Sequence, residues 1–340
     1  MAVLELPLGS ERWAQFVRSR PDALPFHHPA WALLLAECYG FRSFGFALAD
    51  EAGRLEAGLP VLEVKRPLGR PRWVSLPFTD TCPALVDPVV SDRLAAELDG
   101  LRQARGVSRV ELRGPLPGAA RDPGPAPLAH VLRLDPDADE VARRFKGAVL
   151  RNVRKSARSG LVIRRGESEG DLAGTFYDLL VDTRRRLGAI VQPRRFFRLL
   201  WRRALAGDLG FVLLAFVGET PVAGAVFLTW NGTVTYKYGA SDTRYWDRRP
   251  NNLLFWEAIQ WACANGYGAL DFGRTDATAE GLRRFKLGWG CDESPLAYSA
   301  IGTAASGSRS DASERLSPVI RRAPGWLNRA IGRLLYKYAA

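Results

Sequence analysis

Phe211–Phe216, Val222–Trp230 and Thr233–Tyr238 are three apolar, largely β-branched or aromatic runs separated by very short turns. The second turn is Asn231-Gly232, two residues that tolerate the positive φ a two-residue hairpin needs. The spacing predicts an antiparallel meander. Such a sheet has an apolar face that helices must cover, and the sequence supplies them on both sides. Helical patterns run over about Asp171–Leu187 and Pro193–Ala206 before it. After it, Asn251 or Asn252 caps a helix that ends at Asn265-Gly266. A strand at Ala269–Phe272 and a short helix from Thr278 to about Leu287 follow. Upstream, Asp137–Ser159 reads as one very basic helix stopped by Gly160, with a strand at Leu161–Arg165.

The first half has the same plan. Ser10 caps a helix to about Ser19, and His28–Cys38 is helical. Strands at Phe44–Ala49 and Leu55–Val64 flank a turn, and Trp73–Leu76 is a third. A helix from about Ser91 to Arg105 ends at Gly106, and strands at Val107–Arg113 and Ala129–Leu134 follow. Two copies of one plan in 340 residues fit two domains of roughly 150 residues each. A period this long is a domain duplication, not a solenoid. The expected organisation is an N-terminal domain over 1–135, a second over 136–301, a Gly/Ala/Ser-rich linker over 302–317 and a basic amphipathic helix over 318–340. The fold class is α+β. A mixed sheet of this kind leaves a crevice where neighbouring strands part, and two copies make a cleft, a common ligand site.

Charge narrows the partners. Lys+Arg 48 against Asp+Glu 36 gives a net +12, nearly all of it arginine. A basic surface attracts nucleic acid, anionic lipid or phosphorylated substrates. Arg144, Arg151, Lys155 and Arg158 recur at roughly helical spacing inside a run, Arg143–Arg165, that has no acidic residue. The cysteines, Cys38, Cys82, Cys263 and Cys291, form no C-x-x-C pair and have no histidine at ligand spacing. Zinc and Ser-His-Asp chemistry are poorly supported, and buried thiols in a reducing cytoplasm are expected. No spanning helix and no signal peptide are expected. In the last segment, Leu327, Ile331, Leu334, Leu335 and Tyr338 form an apolar stripe, and Arg329, Arg333 and Lys337 recur on another face. That segment is either an interfacial helix on anionic lipid at the inner face of the membrane or a helix docked on the protein.

Several segments resemble a known family. Arg151-Asn152-Val153-Arg154-Lys155-Ser156-Ala157-Arg158-Ser159-Gly160 is similar to the R-x-x-x-K-A-x-x-x-G signature of the Fem-type peptidoglycan aminoacyltransferases, with Ser156 in place of alanine. Tyr236–Asp242, Pro250–Ile259, Asp271-Phe272-Gly273-Arg274 and Gly281–Gly290 follow in the family's order and spacing. The resemblance is dense from about Arg143 to Tyr298. It is looser in the first half, where Leu76-Pro77-Phe78-Thr79-Asp80 departs from the family's Gly-rich continuation. It implies two tandem GNAT-like domains and acyl transfer to an amine. It implies an aminoacyl-tRNA donor and a cell-wall precursor acceptor, with no cofactor or metal required. Sister sequences belong to polysaccharide or exported-protein systems.

Acyl transfer needs a neutral amine, an electrophilic carbonyl and charge stabilisation at the developing oxyanion. On the resemblance, Lys286 is the residue to place a cation beside that oxyanion or a phosphate; from periodicity alone it is a lysine snorkelling over Phe285. Arg274 forks onto a carboxylate or phosphate, or pairs internally with Asp271. Tyr236 and Tyr238 share a strand face by alternation, and Tyr238 is the better site candidate. Asn251 caps its helix and could receive an anion at the helix N-terminus. The Thr243–Asn251 loop lacks the R/Q-x-x-G-x-G/A pattern that seats coenzyme A, which weakens an acyl-CoA donor. Asp80 is either the base that accepts the amine proton or an Asx-turn residue. Arg151, Arg154 and Lys155 are candidates to follow tRNA phosphates or hold a lipid pyrophosphate. Two alternatives stand beside aminoacyl transfer: acyl-CoA-dependent N-acylation in envelope or polysaccharide synthesis, and a non-catalytic membrane or RNA adaptor.

Overall fold

The computed structural model describes residues 1–65, 69–122, 126–303 and 317–339. The chain forms two compact units, Met1–Pro127 with Pro295–Ser308, and Leu128–Ser294 with Arg309–Ala339.

In the first unit, strands β1 (Ala2–Leu6), β2 (Arg42–Ala49), β3 (Leu55–Val64), β4 (Arg72–Val74), β6 (Arg109–Leu112), β15 (Ser299–Gly302) and β7 (Ala120–Arg121) lie side by side in that order, and β5 (Leu85–Val86) pairs with β3. β4 and β6 run parallel. Helices α1 (Glu11–Ser19), α2 (Pro29–Tyr39) and α3 (Pro88–Ala104) accompany the sheet. Ser10 Oγ accepts the Trp13 N–H at 3.3 Å and so caps α1. Phe46, Leu59, Trp73, Leu94, Leu98 and Val110 make a fully buried core. Gly45 leaves room for the Trp13 ring, which a methyl would meet at 2.7 Å. Beside this core His27 is fully buried. Its Nδ1 accepts the Leu24 N–H and its Nε2–H donates to the Pro83 carbonyl, each at 2.8 Å. Burial drives its pKa down to about 4.

In the second unit the order is β14 (Asp292–Pro295), β8 (Leu128–Arg133), β13 (Ala269–Asp271), β12 (Thr233–Ser241), β11 (Thr220–Trp230), β10 (Gly210–Val217) and β9 (Leu161–Arg165). The expected meander is β10–β11–β12, antiparallel throughout, and β12 and β13 are parallel. The helices are α4 (Ala138–Ala142), α5 (Gly147–Ala157), α6 (Tyr177–Leu187), α7 (Arg194–Arg203), α8 (Pro250–Ala264), α9 (Glu280–Leu287), α10 (317–322) and α11 (Gly325–Leu335). Phe227, Ala258, Ile259, Leu270 and Trp289 are at the centre of one core cluster, on which α8 lies.

Four expectations change. The division falls between 127 and 128, not at 135, because β8 joins the second sheet, and β15, expected in the second domain, joins the first. The helix expected over Asp137–Ser159 is broken at Arg143–Lys146. There Phe145 packs on Trp256 and Trp289, and the Lys146 N–H goes to the Gly288 carbonyl at 2.8 Å. The single helix expected over 318–340 is interrupted at Ala323-Pro324, where proline cannot continue a helix. Neither Asn251 nor Asn252 caps α8: Arg249, with a left-handed φ of 57°, holds the cap position, and Pro250 is the first helical residue. The expected linker falls largely on 304–316, outside the described residues.

Candidate active site

The β12–β13 pair holds register only from Thr233↔Ala269 to Thr235↔Asp271. Beyond Thr235, β12 continues to Ser241 with β11 on one side, and β13 has ended. The two strands part beyond that point.

A β-bulge shapes this part of β12. Val226 pairs with Tyr238 and Phe227 with Tyr236, which leaves Lys237 as the extra residue. The expected alternation therefore fails, and the two tyrosines face opposite sides of the sheet. Tyr238 is buried edge-on against Phe196 and Phe197 of α7. Tyr236 packs on Phe227 and Phe255. Its hydroxyl folds over Gly239, where any Cβ would overlap it. Burial pushes its phenol up to about 12, so it stays a neutral donor.

Opposite β12, the segment Asp271–Thr275 is fixed from several sides. Asp271 Oδ1 accepts the Gly273 N–H at 2.8 Å, bending the chain at a glycine of φ 70°. Lys286, on α9 and 2% exposed, donates to the carbonyls of Gly273 at 2.7 Å and Arg274 at 3.1 Å. His130, fully buried on β8, lies 3.4 Å from Thr275 Oγ1 and 2.9 Å from Glu293 Oε2. Burial, then the Lys286 charge, holds this imidazole below its ordinary pKa. It is therefore neutral, donating from Nε2 to Glu293 and accepting from Thr275 at Nδ1. Arg283 forks onto Glu293 with two bonds of 2.6 Å and holds that carboxylate below its usual range. Arg274 pairs with Asp276 at 2.6 Å.

At the end of β12 a cavity of about 310 Å³ lies between α6 and the turn after Ser241. Asp182, Arg185, Arg186, Asp242 and Arg244 give it mixed charge. Asp242 Oδ1 accepts the Arg244 N–H at 2.9 Å, so a carboxylate already occupies the start of this turn. Asn251 is half-buried in the first turn of α8. Arg151, Arg154 and Lys155 on α5 and Arg158 at its C-cap are all exposed, and among the described residues none has an acidic partner.

In the first unit, Asp80 sits on a loop where Leu76 and Phe78 have left-handed φ of 60° and 63°. Such backbone persists only when its surroundings hold it. Ser75 Oγ accepts the Arg113 N–H at 2.7 Å and donates to the Cys82 carbonyl at 2.9 Å. Tyr298 donates its hydroxyl to the Asp80 carbonyl at 2.5 Å, with Arg113 over its ring. His130, Glu293 and Tyr298 are not singled out by sequence, because their partners are far away along the chain.

Residues 143–293 match the family model described as an acetyltransferase (GNAT) domain. The chain as a whole has the Fem-like fold. It superposes on the crystal structure of FemX with a TM-score of 0.72 at 16% identity, covering 95% of this chain and 100% of that one. It is similar also to L-PGS from Bacillus licheniformis, with TM-score 0.54, 12% identity and coverage of 94% and 97%. A tandem GNAT protein from the clavulanic acid biosynthesis pathway gives 0.52 at 12% identity, with 90% and 99% covered. No curated protein sequence matches the chain.

Proposed function

We propose that the chain moves an amino acid from aminoacyl-tRNA to the amine of a peptidoglycan precursor. The observation that carries this reading is the exposed row Arg151, Arg154 and Lys155 on α5 with Arg158 at its C-cap, without acidic partners among the described residues. Cations of this kind are suited to a phosphate backbone, and this row carries the Fem-type signature.

In this reading the acceptor nitrogen attacks the ester carbonyl of the donor, and main-chain N–H groups of β12 beyond Thr235 bond the oxyanion. The C–N bond forms, the C–O ester bond breaks, the nitrogen loses a proton to water, and the departing tRNA oxygen gains one. Lys286 acts here as a positioning residue, since its ammonium holds the Gly273 and Arg274 carbonyls. Arg274, Asp271, Tyr238 and Asn251 remain candidates for contacting or framing the substrate.

An acyl-CoA donor is the second reading, favoured by the acetyltransferase description of the matching family. Against it stands Asp242. A pyrophosphate at this turn would meet a carboxylate that has already taken the Arg244 N–H. Mass spectrometry of a muramyl-pentapeptide acceptor separates the two. An amino-acid increment that requires charged tRNA supports the proposal. An acetyl shift with acetyl-CoA alone overturns it.

A further inference from the structure

We propose that 317–339 is a preformed docking element for the surface of an anionic lipid bilayer. Its attachment to the second unit uses small and polar groups. Asn328, fully buried, accepts the Val191 N–H at 3.4 Å and donates to the Ala189 carbonyl at 3.3 Å. Gly332 lies against the Val191 carbonyl, where a methyl would overlap it. Arg329 pairs with Asp178 at 3.3 Å. Ile320 and Ala323 are the buried apolar residues of this segment.

A docked amphipathic helix ordinarily buries its large apolar side chains. Here Ile320 is buried and Leu327 and Ile331 are half-buried, but five large apolar side chains stay outside. Val319, Trp326, Leu334, Leu335 and Tyr338 account for five of the twelve exposed large hydrophobics among the described residues. Trp326 is 66% and Leu334 62% exposed. Interleaved with them are Arg321, Arg322, Arg333 and Lys337, all exposed, and 317–340 contains no acidic residue. On α11 Trp326, Arg329 and Arg333 share one side by their spacing of three and four, with Leu334 next to it.

Apolar side chains mixed with cations on one face suit a bilayer interface, where the rings and methyls enter the headgroup boundary and the cations meet lipid phosphates. RNA would use the cations and leave Trp326 and Leu334 in water. A second protein chain covering the same face would have to desolvate four cations or pair each of them. Among the described residues no helix is long and apolar enough to cross a membrane, so attachment by this element is peripheral. The inference is independent of which donor the acyltransferase site uses.

Flotation of the full chain with phosphatidylcholine vesicles, with and without phosphatidylglycerol, tests it. Binding is expected only with phosphatidylglycerol, and it weakens as salt is raised. Trp326→Ser with Leu334→Ser, and separately Arg333→Gln with Lys337→Gln, should each weaken it by about tenfold or more with thermal unfolding unchanged. Failure of the wild type to float with phosphatidylglycerol at low salt overturns the proposal. So does undiminished flotation of both double variants. A wild-type dimer that Trp326→Ser with Leu334→Ser converts to monomer would instead identify a second copy as the occupant, and would overturn it as well.

Discussion

Lys286 and His27 are both buried polar side chains whose atoms reach main-chain groups. Removing the ammonium by Lys286→Met keeps the aliphatic stem and leaves the Gly273 carbonyl without this donor. That should lower stability by about 2 kcal/mol, read from the urea midpoint, and reduce kcat more than it changes KM. Full stability with no turnover would instead give the ammonium a direct role on substrate. His27 makes the first unit sensitive to acid. Its folded pKa lies below the unfolded value of 6.5, so its contribution is complete above pH 6.5 and is lost as pH falls toward about 4. The loss should reach about 3 kcal/mol in urea midpoints measured across that window, and His27→Gln should flatten it. Sequence marks Lys286 but not its direction, because a lysine's reach of several bonds allows either a ligand or a carbonyl. His27, His130 and Glu293 draw no attention there as site residues, since burial and distant partners leave no local trace.

Along the elements, α5 is the most exposed to test. Its cations face solvent without acidic partners among the described residues, so Arg151→Glu with Arg154→Glu should weaken tRNA binding while the fold is kept. The slope of log affinity against log salt should shrink by about one for each phosphate no longer neutralised. An unchanged slope in a filter-binding series would remove tRNA from this face. The meander, the Ser10 cap and the helix stops at Gly106 and Gly160 are legible because each rests on adjacent residues. The bulge at Lys237 is not. It arises from pairing with β11 and leaves the Tyr-Lys-Tyr alternation looking regular in sequence. The edge strand β1 is hidden for a similar reason: it is short, half-exposed, and its partner β2 begins only at Arg42. The break before α5 is likewise tertiary, since the Gly288 carbonyl that takes the Lys146 N–H comes from the end of α9.

For the whole molecule, the duplication is readable and the assignment of strands to sheets is not, because period-2 patterning identifies a strand without naming its neighbour. β15 lies between β6 and β7, and β8 lies between β14 and β13. A fragment cut at 135 therefore loses one strand its sheet needs and carries another whose partners are gone. It should be oligomeric or insoluble and lack a cooperative thermal transition. A monomeric fragment with a sharp melt would contradict the exchange. The same exchange governs how the protein can be made. A ribosome delivers residues in order, and the strand that separates β6 from β7 emerges only after every strand of the second sheet has been synthesised. The sheet begun first is thus the sheet completed last. Until Ser299–Gly302 leaves the exit tunnel, β6 has an open edge on the nascent chain, and a chaperone has that interval in which to cover it.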